Sequence, residues 1–211
     1  MGLWWMGPPP GCSRLAMPIN DGRQDAGDRA AELVRLFHEP REFGQIRGVS
    51  PDDVPPPARG LLDHRSHMTV AMENFHGGDV RLRVLATAEA GSDAVKPAAY
   101  SREILLENQA GRVVQYGIVR IDLDRVAPET AADIRAARRP LGRILIAAGM
   151  LRDVQNVRLV EILPGPHLAE VFGLERARHP GDASRLLFGR VADIELDGRP
   201  AVELLEVVAP S

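Results

Sequence analysis

The sequence predicts an α+β fold on an antiparallel sheet, and three observations lead there. Six stretches from Val80 onward have strand character, most of them adjacent and separated by turn residues. Asp197-Gly198, between Leu186–Leu196 and Ala201–Ala209, is the strongest hairpin signal in the chain. Helical segments gather before and between the strands, as in a sheet with helices packed on it. With 211 residues, 45% of them hydrophobic, the chain is long enough for one full core. No internal repeat and no second domain is visible.

Residues 1 to about 27 read as a disordered extension, because Gly7-Pro8-Pro9-Pro10-Gly11 and Asn20-Asp21-Gly22 build no packed element. Residues 28–60 read as a helix and a connection. Asp28 caps a short helix with the stripe Leu33, Val34, Leu36 and Phe37. A polar run including Pro51-Asp52-Asp53-Val54-Pro55-Pro56-Pro57 follows. The main domain is expected over residues 61–211. Ser66 to Asn74 forms a helix stopped by Gly77-Gly78. Val80, Leu82, Val84 and Ala86 alternate with Arg81, Arg83 and Leu85 in a largely amphipathic strand. Strands over Ala99–Glu107 and Val113–Leu123 flank the turn Asn108-Gln109-Ala110-Gly111. Thr130 caps a helix to about Arg138, and Pro140 occupies the first turn of another, Leu141 to Ala148. Val154–Leu163 is a strand and His167–Phe172 a short helix.

Three charges fall where this sheet buries its side chains. In Ala99–Glu107 the period-two pattern sets Tyr100, Arg102, Ile104 and Leu106 on one face. Ser101, Glu103 and Glu107 point the other way, with Leu105 the exception. Arg190 shares a face with Leu186, Phe188, Ala192, Ile194 and Leu196, and Glu206 lines up with Val202, Leu204 and Val208. Arg and Glu are almost never fully buried without partners. Two guanidiniums and a carboxylate facing a core therefore suggest a closed pocket for a small anionic ligand. The alternative is a buried structural ion network.

The net charge of -3 argues against nucleic acid or an anionic membrane as partner. Only one of the 26 basic residues is a lysine, Lys96, so an isolated arginine means little unless its strand position is special. The single cysteine, Cys12, excludes an intrachain disulfide and fits a reducing, cytoplasmic setting. Met1 to Met6 is too short for a signal core, and no run of about 18 apolar residues exists. Met1 and Met17 both stay open as starts, and a monomer or small homo-oligomer is expected. His64 and His67 have helix-compatible spacing, yet no His, Cys or Asp set gives a metal signature. No nucleophile elbow, Walker loop or dinucleotide glycine motif appears, so neither metal nor cofactor is expected.

Arg102-Glu103-Ile104-Leu105-Leu106 and Pro140-Leu141-Gly142-Arg143 resemble the two most characteristic stretches of the chorismate lyase family. Ser66-His67-Met68-Thr69 is similar to that family's Ser-Met-Thr segment. Phe188-Gly189-Arg190, Asp197-Gly198-Arg199-Pro200 and Leu205-Glu206-Val207-Val208-Ala209-Pro210 are similar to its closing hairpin. The resemblance covers roughly Leu61 to Pro210 and is greatest to the actinobacterial-type branch. It implies a single α+β domain with helical flaps over an enclosed site. It also implies chorismate as substrate, cleaved without cofactor to 4-hydroxybenzoate and pyruvate. The ligand contacts it implies are Met68, Arg102, Leu141 and Glu206. Arg102 would bind a carboxylate or the ether oxygen, and Glu206 would act as acceptor or general base. Backbone groups at Met68 and Leu141 would add amide donors.

Two departures bear on those positions. His67 is inserted between Ser66 and Met68, and one extra residue lies between Pro200 and Glu206. A plain hairpin at Asp197-Gly198 puts Glu203 on Arg190's face, whereas a β-bulge in the last strand restores Glu206. Two other functions compete with the lyase. One is a non-catalytic binder of small aromatic acids, since effector domains of GntR-type repressors share this fold. Residues 1–60 carry seven Arg against eight Asp/Glu and one plausible helix, which argues against a DNA-binding module there. The other is a lyase giving a different hydroxybenzoate.

Overall fold

The computed structural model describes residues 22–90, 99–150, 152–174 and 186–210. Cys12, both candidate starts and most of the expected extension lie outside these residues. The elements are α1 (Gly22–Val34), α2 (Pro40–Phe43), β1 (Gly44–Val49), α3 (Pro56–Leu62), α4 (Met68–His76), β2 (Arg81–Ala90), β3 (Ala99–Glu107) and β4 (Val113–Asp122). They continue with α5 (Pro128–Ala136), α6 (Leu141–Ala147), β5 (Arg152–Pro164), α7 (Pro166–Val171), β6 (Leu187–Leu196) and β7 (Arg199–Val208). The strands form one sheet in the order β1-β5-β6-β7-β4-β3-β2. Every neighbouring pair is antiparallel, so the expected α+β architecture is the observed one.

Both faces of the sheet are covered. Ala26, Ala30, Leu33 and Val34 of α1 recur at helical spacing and pack with Phe43 and Leu168 on Leu105, Tyr116, Ile118, Val160, Val191 and Val207. Leu105 breaks the alternation of β3 because it serves this second core. The opposite face carries α3 and α4 at one end, with Leu62, Met68 and Met72 on Ile104, Leu106 and Val208. At its other end α5 and α6 set Ile134, Ile144 and Leu145 on Val119, Ile194 and Leu204.

Three parts of the N-terminal region differ from expectation. Helix α1 begins at Gly22, ahead of Asp28, and its Ala26 is already buried against the sheet. β1 was expected as connection, since Gly44-Gln45-Ile46-Arg47-Gly48-Val49 has little apolar pattern and sits at the sheet's edge. The prolines before residue 60 start α3, where Pro55, Pro56 and Pro57 fill the cap and first turn that need no amide donor. Gly48 lets α1 approach β1 closely, because a Cβ there would stand 2.1 Å from the Arg23 carbonyl oxygen. Gly48→Ala is expected to push α1 off β1 and cost roughly 1–3 kcal/mol, read as a lower urea midpoint.

Candidate ligand-binding site

The last hairpin decides which carboxylate meets Arg190. Asp197 and Gly198 both have positive φ, 50° and 75°, so a two-residue primed turn joins β6 to β7. Glu195 then pairs with Pro200 but Ile194 with Val202, which leaves Ala201 as a bulge. Beyond it Arg190 stands opposite Glu206. Glu203 turns to the other face, where it takes a 2.6 Å hydrogen bond from Arg120 Nε.

Arg102, Arg190, Glu206 and Gln115 occupy the seam between the two apolar clusters on the α3–α6 side. Met68 and Leu141, the first residues of α4 and α6, close this space from above. All four positions named from the sequence, Met68, Arg102, Leu141 and Glu206, thus line one cavity. Ile104, Leu106, Val119, Ile194 and Leu204 supply an apolar part of the remaining wall, and His67 and Thr69 a polar part. The enclosed space is about 50 Å³, so a ligand the size of a benzoate requires α4 and α6 to part. A surface ion pair spans them, Arg143 Nη2 to Glu73 at 2.6 Å. Exposed pairs contribute only about 0.2–1 kcal/mol, a weak latch.

The two arginines are equally buried, each 1% exposed, but not equally satisfied. Arg190 donates from Nε to Glu206 at 2.7 Å and from Nη1 to the His64 carbonyl at 2.7 Å. Its Nη2 donates to the Ser66 carbonyl at 3.2 Å. It therefore ties the segment before α4 to the sheet. Glu206 is part of this structural network rather than a free base. Arg102 differs: its Nε and Nη1 have no hydrogen-bond partner. Burial pulls its pKa below the usual arginine value, opposed by Tyr100. A guanidinium still keeps its charge. Three further buried atoms on this side lack partners: Gln115 Oε1 within the cavity wall, the Tyr100 hydroxyl and His64 Nε2.

The inserted His67 is the N-cap residue of α4 and does not displace Met68 from the cavity wall. Its ring lies beside Gly142 and accepts at Nε2 from Arg152 Nε. Burial first, and Arg152 second, lower its pKa. His64 is lowered likewise by burial and Arg190.

A second polar cluster, which sequence reasoning missed, lies on the opposite face. Glu103 Oε1 accepts from the Tyr116 hydroxyl at 2.8 Å and lies 2.7 Å from His38 Nε2 and 3.0 Å from His167 Nε2. Burial raises the Glu103 pKa, but hydrogen bonds from His167, His38 and Tyr116 outweigh it and bring it down to about 2. A carboxylate depressed on folding stabilises the protein above its unfolded value near 4.5, and that contribution is lost as pH falls toward 2. Glu103→Gln is accordingly expected to flatten the loss of melting temperature over that window.

No family model matches the chain, and no curated protein does. Among the solved structures to which the chain is similar are three that it covers over most of their own length. The effector domain of PhnF from Mycobacterium smegmatis is 16% identical, with 68% of this chain and 88% of that one covered, at a TM-score of 0.47. A GntR-family transcriptional regulator from Bacillus cereus is 14% identical, with 62% and 92% covered, at 0.43. The C-terminal domain of the histidine utilization repressor from Pseudomonas syringae pv. tomato is 11% identical, with 62% and 91% covered, at 0.45. Similarity of this degree concerns the fold. The expected membership of the chorismate lyase family, and the expected chorismate-cleaving enzyme with it, are corrected by these findings. The neighbours are domains of regulators, not lyases. Among the described residues no helix is long and apolar enough to cross a membrane.

Proposed function

We propose that this domain is a non-catalytic binder of a small carboxylate with a flat apolar body, an aromatic carboxylic acid being the class that fits. The observation carrying this reading is Arg102, buried with two unpartnered nitrogens in a cavity whose other charges, Arg190 and Glu206, answer each other. Leaving such a charge unpaired is costly, so an anion that answers it gains more there than in water. The apolar wall accepts a ring, while Gln115 Oε1 accepts a hydrogen bond from a ring hydroxyl. Met68 and Leu141 act as the lids that fold over the ring. A thermal-shift comparison of 4-hydroxybenzoate, benzoate, benzamide and methyl benzoate tests it. The two acids are expected to raise the melting temperature and the two neutral compounds to leave it unchanged. Equal shifts with all four, or none with either acid, would overturn the reading.

A further inference from the structure

We infer that His38, His167 and Glu103 form a binding site for one divalent transition-metal ion of the zinc class. Their ligand atoms, two imidazole Nε2 atoms and a carboxylate oxygen, all lie within 4.8 Å of one another. They come from three separate places: the turn after α1, the first turn of α7, and the middle of β3. The carboxylate oxygen stands 2.7 and 3.0 Å from the two nitrogens. A tetrahedral ion with bonds of about 2.0–2.1 Å separates its ligands by about 3.3 Å. Moving the carboxylate oxygen about 0.3–0.6 Å away from the two nitrogens reaches that spacing. Two nitrogens with one oxygen select zinc-class ions over calcium or magnesium, which take oxygen donors.

The surroundings suit a metal centre. The Tyr116 hydroxyl holds the Glu103 carboxylate at 2.8 Å, the orienting contact that metal ligands ordinarily receive. Phe43 and Tyr116 are fully buried and wall the two imidazoles on the protein side. On the other side His38 and His167 are 15% and 23% exposed, which leaves an approach for the ion and a place for a fourth, exogenous ligand. The imidazole rings are only 3.9 Å apart between centroids. Two adjacent imidazoliums repel, whereas neutral rings ligate with lone pairs. On binding, each neutral ring that had donated from Nε2 carries its proton on Nδ1, and an imidazolium releases one proton to solvent. No redox change is involved. The bound ion would pin α7 and the turn after α1 to β3, on the face away from the Arg102 cavity.

The test uses the full chain after chelator treatment, carrying Cys12→Ser to remove a thiolate as competing ligand. Cobalt(II) is titrated while its visible ligand-field absorption is followed, and zinc(II) is then added in competition. One equivalent of cobalt is expected to give intense bands of low coordination number, removed by one equivalent of zinc. His38→Ala and His167→Ala are each expected to weaken cobalt binding more than about 100-fold. Tyr116→Phe is expected to weaken it less. No ligand-field absorption in the parent chain would overturn the site, whether or not the variants fold. Bands of undiminished intensity and affinity in the His38→Ala, His167→Ala double variant would overturn it as well.

Discussion

Arg190→Met is expected to cost roughly 3–5 kcal/mol of folding free energy, the range for removing one partner of a buried ion pair. The substitution leaves the Glu206 carboxylate, only 12% exposed, without its cation. It also strips the carbonyls of His64 and Ser66 of their donor, freeing the segment that leads into α4. Adding Glu206→Leu removes the stranded charge and is expected to recover part of the loss. Recovery is incomplete because those carbonyls stay unanswered. Urea denaturation of the two variants and the parent measures this. A cost below about 1 kcal/mol for the single change would show that the network is not structural.

The same substitution at Arg102 is expected to do the reverse. Arg102→Met removes a charge that no group of the protein answers at Nε or Nη1, so folding stability should stay level or rise. Affinity for an aromatic carboxylate should fall by about 10- to 150-fold, the equivalent of losing a charge-assisted hydrogen bond of about 1.5–3 kcal/mol. Two arginines of equal burial, on adjacent rows of one sheet face, thus separate into a fold determinant and a ligand anchor. The urea midpoint and the dissociation constant, taken together on both variants, distinguish them.

The cavity side of the sheet was legible in the sequence because period-two alternation fixes a strand's faces. Arg102, Arg190 and Glu206 stood out as charges in apolar rows, and one surplus residue before Glu206 required the bulge that the structure places at Ala201. Their division of labour was not legible. It depends on backbone carbonyls at His64 and Ser66, which carry no side-chain signature. The Glu103 cluster was hidden for another reason. His38 and His167 lie more than sixty residues from Glu103 on either side, and Glu103 pointed to a face that its polar neighbours marked as solvated. Leu105 was the one sign that this face is also buried. β1 and α3 escaped because two glycines and a run of prolines normally punctuate loops. Here Gly48 permits the close approach of α1 and Gly44 that of the end of β5, and the prolines occupy helix positions with no donor to lose.

The most direct test of the Arg102 anchor is a calorimetric titration of 4-hydroxybenzoate into the parent protein and into Arg102→Met. Saturable 1:1 binding is expected in the parent, with a negative heat-capacity change as the ring enters the apolar cavity. Binding at least about tenfold weaker is expected in a variant that unfolds at the same urea concentration or higher. Equal affinity in the two proteins would contradict the assignment of Arg102 as the group that holds the ligand.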